Sequence, residues 1–133
     1  IEYAKINANR VFVFSSLGSL KYLSLIRHAS IMVGNSSSGI IEMPFFKKPT
    51  VNIGNRQRGR VVSNSVINVK NISSDIIEGI NKGLEGSFKS ICEATPNYYG
   101  NGTTAHQIMQ HLMDAKISPS KNFYDLPDQE VHI

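Results

Sequence analysis

A single cysteine, Cys92, stands in 133 residues, which excludes an internal disulfide framework and any cysteine-built zinc cluster. No apolar run approaches the roughly 20 residues a membrane helix needs. No basic-then-apolar leader opens the chain, so no secretory signal is legible and a reducing, cytoplasmic setting is expected. Acid is scarce in one half only. Residues 1–74 hold ten Lys and Arg against two acids, Glu2 and Glu42, and no acid falls between Met43 and Ser74. Residues 75–133 reverse the balance, with four Lys against eight acids. The formal net charge of +4 therefore hides a strongly basic first half, whose field concentrates anionic ligands. The densest basic stretch lacks aromatics as well. None is interleaved from Lys47 to Lys70, which argues against base stacking on a nucleic acid.

Catalytic and metal-binding groupings are also lacking. The four histidines are His28, His106, His111 and His132, and none has a partner at metal spacing with a carboxylate beside it. His106 and His111 are five apart, the wrong offset for one helix face. No Ser-His-Asp or Cys-His set can be assembled. No metal or cofactor is expected, and the chain reads as a binding half-site without an evident catalytic base.

What is present is ordinary for a globular domain, with 41% hydrophobic and 18% charged residues. The expectation is one domain over residues 1–117 and a tail over 118–133, because the periodic pattern fades after Ser118-Pro119. The chain begins at Ile1 rather than Met, so it is expected to be a piece of a longer protein.

Short apolar runs alternate with helical patterns. Val11–Phe14, Ile31–Val33, Thr50–Ile53 and Val66–Val69 read as buried strands. Between them lie a helix from Ser19, its cap, to about His28 and a short helix over Ile40–Phe46. Asp75 and Glu78 resemble a capping box for a helix carrying Ile76, Ile77, Ile80 and Leu84 on one side. Thr103 or Thr104 caps a last helix with Ala105, Ile108, Met109, Leu112 and Met113 on one face. This alternation predicts an α/β fold, a Rossmann-like parallel sheet with helices on both faces. Ligands of such sheets bind at the carboxyl ends of the strands. Three loops fall there: 15–19, 34–39 and 54–60.

The second loop runs Gly34-Asn35-Ser36-Ser37-Ser38-Gly39 into a helix. First-turn amides lack intrahelical partners and carry partial positive charge, and serine hydroxyls add donors, so the turn suits a phosphate. It has neither the lysine of a P-loop nor the spacing of a dinucleotide fingerprint. A plain helix cap is the competing reading. Glu42, about one turn on, is an acceptor suited to a sugar diol, or alternatively a compensating charge for the helix dipole. Arg56, Arg58 and Arg60 follow the third predicted strand, and a guanidinium fork from one of them can bind the same phosphate. An exposed basic loop is the alternative.

The run from Val33 through Arg60 resembles the C-terminal half of UDP-N-acetylglucosamine 2-epimerases, most closely the hydrolysing branch that starts sialic-acid-type sugar synthesis. Gly34-Asn35-Ser36-Ser37-Ser38-Gly39, Glu42, and Pro49 through Arg60 carry the likeness. Leu17–Leu23 is similar to the family's preceding loop and helix, and Tyr99-Gly100-Asn101-Gly102 to its Tyr-Gly-Asp-Gly turn, with Asn for Asp.

The resemblance implies the second domain of a two-domain glycosyltransferase-B fold. It implies that Ser36 and Ser37 bind the diphosphate of UDP, Glu42 the ribose hydroxyls, Arg56 the phosphate region near the sugar, and the backbone near Leu17 the uracil. The implied partners are a UDP-sugar substrate, the N-terminal domain of the same protein and, in the full-length protein, further copies of itself; membrane and nucleic acid are not expected. Catalytic residues are expected in the N-terminal part, outside this chain. The substrate alternative is UDP-N,N′-diacetylbacillosamine. Alternatives of other kinds are a glycosyltransferase of the same architecture and a basic nucleic-acid-binding module.

Overall fold

The computed structural model describes residues 2–116. Three of the four expected strands form. They are β1 (Met32–Gly34), β2 (Thr50–Ile53) and β3 (Val66–Val69), hydrogen-bonded in that order as a parallel sheet. Met32 pairs with Thr50, and Val51 with Ile67. The helices are α1 (Glu2–Ile6), α2 (Gly18–His28), α3 (Ser38–Phe45), α4 (Ser73–Leu84), α5 (Gly86–Ala94) and α6 (Thr104–Asp114). The chain divides into two compact units, one ending at Tyr99 and one starting at Gly100. The second contains α6, whose Ile108, Met109, Leu112 and Met113 are exposed. The expected tail over 118–133 lies outside the described residues.

Within the first unit the sheet is covered on both faces. Successive strand residues point to opposite sides. Thr50 and Met32 meet α3 at Gly39, while Val51 and Val69 meet α4 at Gly79. Ile40, Met43 and Val51 are fully buried between these layers. Burying each such side chain is worth about 1.5–3 kcal/mol. The doubly covered parallel sheet explains why β2 is apolar at Val51 yet carries buried Thr50 and Asn52 on its other face. Thr50 Oγ1 donates to the Gly39 carbonyl at 2.8 Å, and Asn52 Nδ2 donates to Asn68 Oδ1 at 2.8 Å, so these polar groups are satisfied where they are buried.

Residues 11–14 depart from expectation. They form no strand, and Phe12, Val13 and Phe14 are exposed. An apolar run becomes a strand only when a neighbouring strand takes up its amides and carbonyls, and none among the described residues pairs with it. Two caps also differ. Ser19 lies inside α2, after Leu17 at the N-cap, and α4 starts at Ser73 behind Ile72, with no side-chain cap bond at either end. Sequence reading also did not anticipate α1 or α5. Helix α5 is held by Phe88 and Cys92, four residues apart and both buried. No described helix is long and apolar enough to cross a membrane.

Candidate functional site

The parallel register brings the ends of β1 and β2 side by side, with Gly34 opposite Asn52. The loops that leave these strands therefore start as neighbours. The first turns at once into α3, so that Ser37 is its N-cap residue and Ser38 its first. The Ser37 hydroxyl makes no cap bond to its own helix, which leaves it available to a ligand. Ser36 Oγ accepts the Ser38 N–H at 3.3 Å, and the Ser36 and Ser37 carbonyls take the amides of Gly39 and Ile40. The first-turn amides of Ser38, Gly39 and Ile40 are thus taken up within the turn, and what the turn offers a ligand is its hydroxyls and the positive end of the helix dipole. The Ser38 hydroxyl is shared with Tyr22 Oη on α2.

The second loop leaves β2 through Gly54, whose φ of +73° suits a residue without a side chain. Two residues on, Arg56 Nη1 reaches back to Asn35 Oδ1 at 3.5 Å. Gln57 Nε2 donates to the Asn35 carbonyl at 2.7 Å. The serine turn and the arginine loop thus face one another, as the diphosphate reading of the sequence requires. Arg58 and Arg60 do not share that place. They line a different cavity of about 340 Å3 with Asn52, Gln57 and Asn68.

Glu42 lies one turn into α3, half-buried, and its Oε2 is buried without a hydrogen-bond donor among the described residues. A carboxylate oxygen in that condition has room in its bonding for a ligand's O–H. Leu17 lies at the N-terminus of α2, beside an open cleft of about 660 Å3 that Phe12, Phe14 and Tyr22 also line. Tyr22 links this cleft to the serine turn, because its hydroxyl is the one bonded to Ser38. Ser36, Ser37 and Arg56 thus belong to the loops at the ends of β1 and β2, Glu42 to the helix that follows the serine turn, and Leu17 to the cleft that Tyr22 joins to that turn.

The electrostatics favour an anion. Among the described residues the single ion pair is Lys89–Glu93 at 3.9 Å, so no carboxylate neutralises Arg56, Arg58 or Arg60. No group of three His, Cys, Asp or Glu suited to a metal ion occurs among the described residues. Sequence reasoning missed two residues of this region. Tyr22 carried no signal beyond helical spacing, and Gln57 is the one uncharged long side chain among three arginines.

The sequence of the chain is similar to those of known proteins. A sequence profile of the UDP-N-acetylglucosamine 2-epimerase family matches residues 1–113. The chain is 38% identical over 116 residues to the polysialic acid biosynthesis protein P7 of Escherichia coli, covering 85% of this chain and 30% of that one. It is 52% identical over 65 residues to a GDP/UDP-N,N′-diacetylbacillosamine 2-epimerase (hydrolyzing) of Campylobacter jejuni, covering 49% of this chain and 17% of that one. It is 29% identical over 131 residues to a UDP-N-acetylglucosamine 2-epimerase of Neisseria meningitidis, covering 94% of this chain and 34% of that one. The chain spans about a third or less of the length of these relatives. With residues 1–113 of its 133 inside the profile, the chain belongs to the UDP-N-acetylglucosamine 2-epimerase family.

Proposed function

We propose that this chain is the C-terminal, UDP-binding part of a hydrolysing UDP-N-acetylglucosamine 2-epimerase. The observation that carries the reading is the 3.5 Å approach of Arg56 to Asn35, which leaves a guanidinium across from the serine turn. Ser36 and Ser37 take the diphosphate from one side and Arg56 from the other. Glu42 receives the ribose hydroxyls, and the uracil meets the backbone near Leu17. Relatives whose names include hydrolysing 2-epimerases support the reaction type.

In that reaction the C2 proton of the sugar is removed, and the C2–H electron pair forms a C1–C2 double bond. The C1–O bond breaks, and UDP leaves with that bond's electron pair. Water then adds, its oxygen to C1 and a proton to C2 on the other face, which yields an N-acetylmannosamine-type sugar and UDP. The share of this chain is electrostatic. Charge grows on the departing diphosphate as C1–O breaks, and fixed hydroxyls, the positive end of the α3 dipole and a guanidinium stabilise it most at that moment. The proton transfers fall to an N-terminal domain that closes over the sugar, so this chain alone binds UDP weakly and does not turn substrate over.

Titration with UDP and with a short oligonucleotide at two salt concentrations tests the reading. UDP is expected to bind with little salt dependence, whereas a nucleic-acid module loses affinity steeply as salt rises. Arg56→Ala is expected to weaken UDP about tenfold or more, the worth of a charge-assisted bond, and Ser36→Ala about two- to tenfold. Tight, salt-sensitive oligonucleotide binding without UDP binding would sink the proposal. The identity to the Campylobacter relative favours a second reading of the substrate, UDP-N,N′-diacetylbacillosamine, and assays of the full-length protein with both sugars separate the two.

A further inference from the structure

From Arg56 to Arg60, four residues are exposed and one is not. Gln57 is 5% exposed. Its Nε2 donates to the Asn35 carbonyl at 2.7 Å, yet its Oε1 is buried with no donor among the described residues. A buried amide oxygen without a donor works against stability, and an apolar side chain of like volume would fill the same space without that penalty. The reason for a glutamine therefore lies at its other end.

That end joins two loops. The Asn35 loop follows β1, the Gln57 loop follows β2, and they carry the opposing halves of the anion site. Two turns wind the second loop, with Arg58 N–H on the Asn55 carbonyl at 3.0 Å and Arg60 N–H on the Gln57 carbonyl at 3.3 Å. The winding turns side chain 57 inward and leaves those of Arg56 and Arg58 outside. Arg56 then meets the Asn35 side chain at 3.5 Å, a long contact that a phosphate oxygen can displace. The Gln57 contact is short and buried, and it goes to backbone.

We infer that Gln57 is a positioning residue whose bond to the Asn35 carbonyl locks the arginine loop onto the serine turn and so aims Arg56 at the diphosphate. The inference rests on the diphosphate reading above. Gln57 itself touches no ligand and acts through Arg56.

The test is a double-mutant cycle on the 133-residue chain, with UDP affinity read by NMR titration and folding by thermal midpoint. Gln57→Met keeps length and volume while removing both the donor and the orphan oxygen. Its midpoint is expected to hold or rise, while UDP affinity falls about five- to tenfold. In an Arg56→Ala background the same change is expected to alter UDP affinity less than about twofold, because its effect passes through that guanidinium. Gln57→Glu gives a second reading, since it keeps the shape but sets an acceptor against the Asn35 carbonyl; it is expected to lose at least as much UDP affinity. Equal losses with and without Arg56, or wild-type affinity in either Gln57 variant, overturn the inference while leaving the diphosphate site standing. Failure of the unmutated chain to bind UDP overturns both.

Discussion

Gly39 packs directly against Thr50. The Thr50 hydroxyl donates to the Gly39 carbonyl at 2.8 Å, and a Cβ placed on Gly39 would fall 2.6 Å from Thr50 Cγ2. The contact presses the first turn of α3 against β2. The serine turn comes just before it, so the closeness of helix and strand also sets how near the serines lie to the arginine loop.

Gly39→Ala is therefore expected to destabilise the fold by about 1–3 kcal/mol, the usual penalty for overpacking, even though alanine is the better helix former. Thr50 is β-branched and buried, and cannot swing away. Gly83→Ala is the control. Its Cβ would also fall 2.6 Å from an atom, but that atom is Cδ1, the far end of the flexible Ile31 side chain. That variant is expected near neutral. Denaturant midpoints compare the two, and equal losses would contradict the account.

The same region shows what the sequence made legible. The limits of β2 and β3 match the expected Thr50–Ile53 and Val66–Val69 because short β-branched runs between turn-forming or polar residues, Pro49 and Gly54 for one and Ser65 and Lys70 for the other, have few other uses. The loops at their ends were legible for the same reason, since a parallel sheet decides where its loops collect. The run Val11–Phe14 has the same local character as those strands, but strand formation is a relation between segments and the partner is not written in the run itself. Helix α5 was hidden by its brevity, with only Phe88 and Cys92 to mark a face. Gln57 was hidden by its neighbours. Among three arginines it reads as one more solvated side chain, and only the fold shows it turned inward.

Glu42 yields a prediction about the sugar of the nucleotide. Its Oε2 is buried and without a donor among the described residues, so a ribose hydroxyl that the carboxylate turns to meet is a gain rather than an exchange. Glu42→Gln keeps the shape and removes the charge. UDP affinity is expected to fall about tenfold or more, in line with a hydrogen bond to a charged group. Affinity for 2′,3′-dideoxy-UDP is expected to be the same in both proteins. Calorimetric titration of both nucleotides checks this, and an equal loss with the dideoxy nucleotide would assign Glu42 to the helix dipole instead.

Cys92 connects stability to pH. The thiol is fully buried in α5, and burial pushes its pKa above the usual thiol range, with the Glu93 charge adding to the effect and a backbone hydrogen bond opposing it. The folded chain therefore holds this proton more tightly than the unfolded one. The resulting stability is fully present below the ordinary thiol pKa, roughly 8.5, and is lost as pH rises through the higher folded value. Thermal midpoints of the chain are expected to fall more steeply with pH above about 8.5 than those of a Cys92→Ala variant, whose baseline is lower because of the small cavity. Iodoacetamide is expected to label the native thiol only as fast as the unit opens, and to label it quickly in denaturant. Parallel pH slopes in the two proteins, or rapid labelling of the native chain, would show that this thiol is neither sealed in the core nor coupled to folding.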